Sequence, residues 1–215
     1  MMSNLNKRIL TSFPLLIIAI YAIYNNIILV LSLFIISSIL IYEFSNIVKN
    51  IFKKNKTNSF IFLNLFIFYI CLFASQIYFF LSGEFENKQI VFLFILLICI
   101  FTDIGGYIFG NIIKGKKLTT ISPNKTYAGM FGSFICSLII CTLFIIYFSF
   151  STNFIFFTLL ISLVSQLGDL FISYLKRKAN IKDTGNFLPG HGGLLDRLDG
   201  IIFAIPLGIK IFIFF

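Results

Sequence analysis

The sequence predicts an all-α, polytopic integral membrane protein with about seven transmembrane helices. Three observations carry that prediction. First, 59% of the 215 residues are hydrophobic and only 12% are charged, with a mean hydropathy of +1.00. Soluble domains run at about 45–50% apolar and about 25% charged. So few polar groups cannot cover a soluble surface, and the bilayer becomes the main solvent. Second, the apolar residues gather in runs close to the ~20 residues that cross ~30 Å of hydrocarbon as a helix. Third, Lys and Arg gather in short clusters between these runs, Lys210 in the last run excepted.

The runs follow in order. The first, 9–24, comes after Lys7 and Arg8. It could pass for a signal peptide, but no small-residue cleavage site follows, so an uncleaved membrane segment is expected. Asn25 and Asn26 separate it from the second run, 27–44. The third, fourth, fifth and sixth span 59–82, 89–110, 127–150 and 153–175, all long enough to cross. The seventh, 200–215, is short like the first, and both fit a full crossing poorly.

The basic residues orient the chain. Lys7 and Arg8 precede run one, and Lys49, Lys53, Lys54 and Lys56 follow run two. Lys114, Lys116, Lys117 and Lys125 follow run four. Lys176, Arg177, Lys178, Lys182 and Arg197 follow run six. The opposite loops carry Glu84, Glu86 and Lys88, or no charge. Seven crossings place every basic cluster on one face, which the positive-inside rule makes cytoplasmic, with the N-terminus inside. The net charge of +9 is therefore a topology signal. No aromatic-and-basic strip suited to nucleic acid is visible. Cys71, Cys99, Cys136 and Cys141 lie inside apolar runs without metal-like pairing and read as packing residues.

The two halves differ in kind. Every glycine except Gly83 lies after residue 100, and so do all five aspartates. The expected organisation is a single membrane domain, 1–215, with 1–99 as anchoring helices and packing wall and 100–215 as the part that carries chemistry.

The richest stretch is 165–200. Asp169, Ser173 and Lys176 or Arg177 recur at helical spacing and share one face. A carboxylate as deep as Asp169 needs a cation or water, so it reads either as a ligand or as an ion pair, for example with Lys176. The loop Lys182-Asp183-Thr184-Gly185 to Gly193 carries Gly190, His191, Gly192 and Gly193. Glycines of this kind let backbone N–H groups cradle an anion, although a flexible connection has the same composition. Asp196 and Asp199 share a face where the last helix is expected to open, and partnership with its dipole is the alternative reading. With Asp169 and Ser173 they would form an all-oxygen site suited to a hard cation such as Mg²⁺. His191 is the only histidine, so imidazole clusters are excluded. It could exchange a proton near pH 7 or simply hydrogen-bond a neighbour.

A second stretch covers 102–133. Asp103 lies inside an apolar run and is a candidate by its depth alone. Lys114, Lys116 and Lys117 read as a solvated cluster. Lys125, in Ser122-Pro123-Asn124-Lys125-Thr126, sits beside a helix start, a place suited to an anion. Gly105, Gly106, Gly110, Gly129 and Gly132 suit close helix packing.

These residues resemble the phosphatidate cytidylyltransferase (CDP-diacylglycerol synthase) family. Its signature runs S-x-x-K-R, four residues, K-D, then P-G-H-G-G-x-x-D-R-x-D. It stands complete here as Ser173, Lys176, Arg177, Lys182, Asp183, Pro189, Gly190, His191, Gly192, Gly193, Asp196, Arg197 and Asp199. Gly168-Asp169 and the stretch around Lys125 also fit. The pattern departs at Ala128, where the family usually has glutamate, and in a short N-terminal region.

The resemblance implies that CTP and phosphatidate are converted to CDP-diacylglycerol and pyrophosphate, in phospholipid biosynthesis. It implies Mg²⁺, with a second cation compatible, held by Asp169, Asp196 and Asp199. Lys125, Ser173, Lys176, Arg177, Arg197 and His191 would be catalytic. Lys182, Asp183, Gly190, Gly192 and Gly193 would bind substrate. The partners expected are the two substrates and the lipid bilayer, with no nucleic acid, and a homodimer is compatible with the sequence. The expected location is the inner (cytoplasmic) membrane, with the site facing the cytoplasm. A related CTP-dependent lipid or polyprenol kinase or synthase, and an ion-coupled transporter using Asp103 and Asp169, remain alternatives.

Overall fold

A computed structural model describes residues 17–119, 122, 125–185, 187 and 192–214. After a helical stretch at 17–24 come α1 (Asn26–Ile51), α2 (Lys56–Ser82), α3 (Lys88–Ile112), α4 (Tyr127–Phe148), α5 (Phe154–Lys178), the four-residue α6 (Leu195–Leu198) and α7 (Ile201–Phe214). The protein is all-α and polytopic. Helices α1 to α5 are each long and apolar enough to cross a membrane. They correspond to the second to sixth apolar runs. Half of the first run, 9–16, lies outside the described residues, and the other half is the helical stretch at 17–24. The last forms a helix of 14 residues interrupted by Pro206. At 1.5 Å per residue it reaches only about 21 Å, short of a full hydrocarbon layer.

The chain divides into two compact units: residues 1–89 with 175–198, and residues 90–174 with 199–215. In the first unit, α1 and α2 form a helical hairpin. The Asn25 side chain accepts N–H bonds from Ile27 and Ile28, and the Asn55 side chain accepts one from Asn58. Both therefore cap donors that a helix start leaves orphaned. The seam is apolar: Leu40, Ile47 and Ile70 are wholly buried, and Phe44 stacks on Phe66 at 3.7 Å. The outward faces are equally apolar, with Phe34, Phe60 and Phe79 largely exposed, as lipid-facing helices require. Ser38, Ser45, Asn64 and Ser75 turn their side chains back onto carbonyls of their own helices, which satisfies these four polar groups within the helix.

In the second unit, glycines set the distance between α3 and α4. A Cβ on Gly105 would lie 2.4 Å from the carbonyl oxygen of Gly132, and one on Gly132 would lie 2.3 Å from Phe109 Cβ. Only glycine permits this approach, as small residues do generally between membrane helices. Buried hydroxyls then tie three helices together. Ser133 Oγ donates to the Thr102 carbonyl at 2.7 Å, and Thr102 Oγ1 donates to Ser162 Oγ at 2.9 Å. A phenylalanine cluster of Phe94, Phe144, Phe150 and Phe154 closes the other end.

Candidate active site

In the second unit a cavity of about 290 Å³ opens among α3, α4, α5 and the segment before α4. Its polar lining comes from Thr102, Asp103, Ser122, Lys125, Ser133, Gln166 and Asp169. The position of Lys125 is set by backbone. Residues 116–118 pair with residues 125–127, with Leu118 N–H donating to the Lys125 carbonyl at 2.8 Å and an antiparallel bridge between Lys117 and Thr126. Thr126 then caps α4, its hydroxyl accepting from Gly129 N–H at 3.0 Å. Lys125 thus projects from beside a helix N-terminus, as the sequence suggests, and its ammonium forms an ion pair with Asp169.

Asp169 sits on α5 one turn before Ser173, whose hydroxyl donates to it at 3.3 Å. The predicted shared face is therefore real. The cation that meets Asp169, however, is Lys125 and not Lys176. Asp103 lines the same cavity. Gly168, the neighbour of Asp169, admits the turn after α6: a Cβ there would lie 2.9 Å from the Asp199 carbonyl oxygen. A Cβ on Gly200 would likewise lie 2.5 Å from Ser165 Oγ. Close glycine contacts thus hold the Asp199 backbone, itself buried, against α5.

In the first unit, a Schellman motif ends α5. Asn180 takes the left-handed conformation (φ 56°), with Ile181 N–H bonding the Lys176 carbonyl and Asn180 N–H the Arg177 carbonyl. The chain turns back, and Lys176 Nζ meets Asp196 Oδ1 at 2.6 Å. Asp196 Oδ2 accepts from Thr184 N–H at 2.8 Å and from Gly193 N–H at 3.2 Å. Burial alone would push the Asp196 carboxyl up. The Lys176 ammonium and the two backbone N–H groups outweigh it and hold the group below the usual carboxylate range.

Asp196 and Asp199 do not share one helix, because α6 ends at Leu198 and α7 begins at Ile201. Gly190 and His191 lie outside the described residues. Lys182 and Asp183 stand in the loop beyond α5 and Arg177 in its last turn, while Arg197 lies in α6.

One residue escapes the sequence reading: Glu43, on α1, only 1% exposed. Its carboxylate accepts from Thr184 Oγ1, Leu194 N–H and Leu195 N–H. The signal was available, since Glu43 is an acidic residue inside an apolar run.

Among the described residues no three His, Cys, Asp or Glu side chains gather as a preformed metal cluster. The donors in the cavity are nonetheless the right kind. Asp103, Asp169, Gln166 and hydroxyls of Thr102 and Ser133 offer only hard oxygen ligands besides the amide nitrogen. That set fits Mg²⁺, which usually takes one or two carboxylates and completes its shell with water and substrate phosphate.

These acidic and cationic side chains stand at the ends of long apolar helices and beside glycine-dependent turns of a polytopic membrane protein. The chain belongs to the cytidylyltransferase family, whose model matches residues 3–215. It is similar to the phosphatidate cytidylyltransferases of Staphylococcus haemolyticus, Staphylococcus saprophyticus and Staphylococcus aureus. With each it is 44% identical over 119 residues, which are 54% of this chain and 46% of the relative. The matched region thus spans about half the length of these relatives.

Proposed function

We propose that the protein is a phosphatidate cytidylyltransferase, forming CDP-diacylglycerol from CTP and phosphatidate. The observation that carries the reading is the ion pair of Lys125 and Asp169 in the lining of a polar cavity in a chain of this family.

In this reading a phosphate oxygen of phosphatidate attacks the α-phosphorus of CTP. A new P–O bond forms, the bond to the β-phosphate bridging oxygen breaks, and pyrophosphate leaves with that electron pair. The attacking phosphate is already ionised near pH 7, so no strong base is required, and His191 serves at most as a proton carrier. Two anions must be brought together, and positive charge is the main requirement. Lys125, Lys176, Arg177 and Arg197 supply it, the guanidinium groups contacting two oxygens at once. Within the second unit, Asp169 and Asp103, with Ser173 assisting, would hold Mg²⁺, which would neutralise developing charge on the phosphates, while Asp196 keeps its own partners Lys176, Thr184 and Gly193. Lys182, Asp183, Gly190 and Gly192 contact the nucleotide, whereas Gly193 is taken up by internal contacts with Glu43, Thr184 and Asp196. The acyl chains enter from the bilayer and CTP from the cytoplasmic face of the inner membrane.

The test is direct. Purified protein incubated with phosphatidate, CTP labelled at the α-phosphate and Mg²⁺ should yield labelled lipid and one equivalent of pyrophosphate. Absence of labelled lipid, with the protein folded, would remove the reading.

A further inference from the structure

We propose that Glu43 is a positioning residue: from the anchoring hairpin, it holds the loop and turn that present Lys176 and Asp196. Its catalytic consequence rests on the function proposed above, while the tie itself does not.

The geometry supports a dedicated acceptor. Glu43 Oε2 receives the Thr184 hydroxyl at 2.8 Å and Leu195 N–H at 2.8 Å, and Oε1 receives Leu194 N–H at 2.9 Å. An ionised carboxylate only accepts, and it has lone pairs enough for three donors. The two N–H groups belong to the start of α6, where a helix leaves its donors orphaned. Their acceptor lies 151 and 152 residues earlier in the chain, so local structure cannot supply it.

Thr184 links this carboxylate to the next. Its N–H bonds Asp196 Oδ2 at 2.8 Å, while its hydroxyl bonds Glu43. Thr184 is itself buried. A shift of Thr184 would therefore move Asp196 and, through it, Lys176.

The loop glycines fit the same account. A Cβ on Gly185 would lie 2.9 Å from Glu43 Oε1. One on Gly193 would lie 2.6 Å from Oε2 and 1.9 Å from Thr184 Oγ1. At these two positions the missing side chain makes room for the protein's own carboxylate. The anion cradled by this part of the glycine-rich loop is internal.

Glutamine at 43 is nearly isosteric, but its amide nitrogen donates and would face a backbone N–H or the Thr184 hydroxyl. Charge-assisted hydrogen bonds are worth more than neutral ones, so losing one here should cost about tenfold or more in loop order. The experiment compares amide hydrogen exchange and CTP:phosphatidate kinetics in the full chain, in detergent, for Glu43→Gln, Glu43→Asp and Thr184→Val.

In Glu43→Gln, exchange at Leu194 and Leu195 should rise at least about tenfold while α4 stays protected. The value of kcat should fall about tenfold or more, with KM for phosphatidate unchanged and partial recovery in Glu43→Asp. Thr184→Val should act in the same direction, and the double variant should be no worse than the poorer single one. Unchanged exchange at 194–195, exchange rising equally in α4, unchanged kcat despite local opening, or additive effects of the two substitutions would each overturn the proposal. If the unmodified protein makes no labelled lipid, the proposed function falls, and the exchange pattern alone decides whether the tie exists.

Discussion

Lys176 Nζ lies 2.6 Å from Asp196 Oδ1, a salt bridge joining the last turn of α5 to a residue twenty positions later. The side chains are only 13% and 10% exposed. Removing one partner leaves a largely buried charge without compensation, which is a heavier loss than the net worth of the pair. Lys176→Met should destabilise the loop-bearing unit by about 3 kcal/mol. Equilibrium unfolding in detergent checks this, and a change under about 0.5 kcal/mol would be that of an ordinary surface site.

The same carboxylate sets a pH dependence. The folded pKa of Asp196 is depressed, so its contribution is fully present above the unfolded value of about 3.9. It is lost as pH falls through the lower folded value. The unfolding midpoint should therefore carry no Asp196-dependent change between pH 5 and 8, and should decline below about pH 4. Subtracting the profile of Asp196→Asn isolates this group, and a difference that titrates near pH 6 would contradict the assignment.

Asp169 faces the ammonium of Lys125 in the cavity. Both are about a quarter exposed, so water screens the pair and stability should change little. Catalysis should respond strongly. Asp169→Asn and Lys125→Ala should each lower turnover at least about a hundredfold, the scale of losing one charge-stabilising group, while eluting as folded protein. Lys114→Ala offers the contrast: Lys114 is exposed and outside the cavity lining, and turnover should stay within about twofold.

The proposed all-oxygen site would make activity depend on a hard divalent cation. Transfer should stop with excess chelator and return with added Mg²⁺ or Mn²⁺, but not with Zn²⁺ at equal concentration. Isothermal titration provides a second readout: Mg²⁺ binding should weaken in Asp169→Asn.

The approach of α3 to α4 tolerates no side chain. Gly105→Val would drive a Cβ toward the Gly132 carbonyl, now 2.4 Å from where it would sit. Overpacking of this kind costs about 1–3 kcal/mol. It should also distort the cavity, since Gly106, Gly129 and Ser133 line it beside these contacts. Thermal unfolding and nucleotide binding should both weaken, and Gly115→Ala, open on every side but at φ 102°, should affect stability without affecting binding.

Five crossing-length helices were legible in the order of residues, because a bilayer demands long apolar runs and allows few alternatives. The candidate aspartates and lysines were legible too, since charges that survive in such a chain need a purpose. Which charge meets which was not. Helical spacing made Lys176 a reasonable partner for Asp169, but the pairing of 116–118 with 125–127 brings Lys125 there instead, and Lys176 meets Asp196. Glu43 shows the limit most sharply. Its depth in an apolar run marks it as costly, yet its three donors lie more than 140 residues away. Local pattern is written along the chain, so it determines helices, caps and lipid-facing surfaces. Pairing between distant groups depends on which turns close and how tightly glycines let helices meet, and only the folded chain decides that.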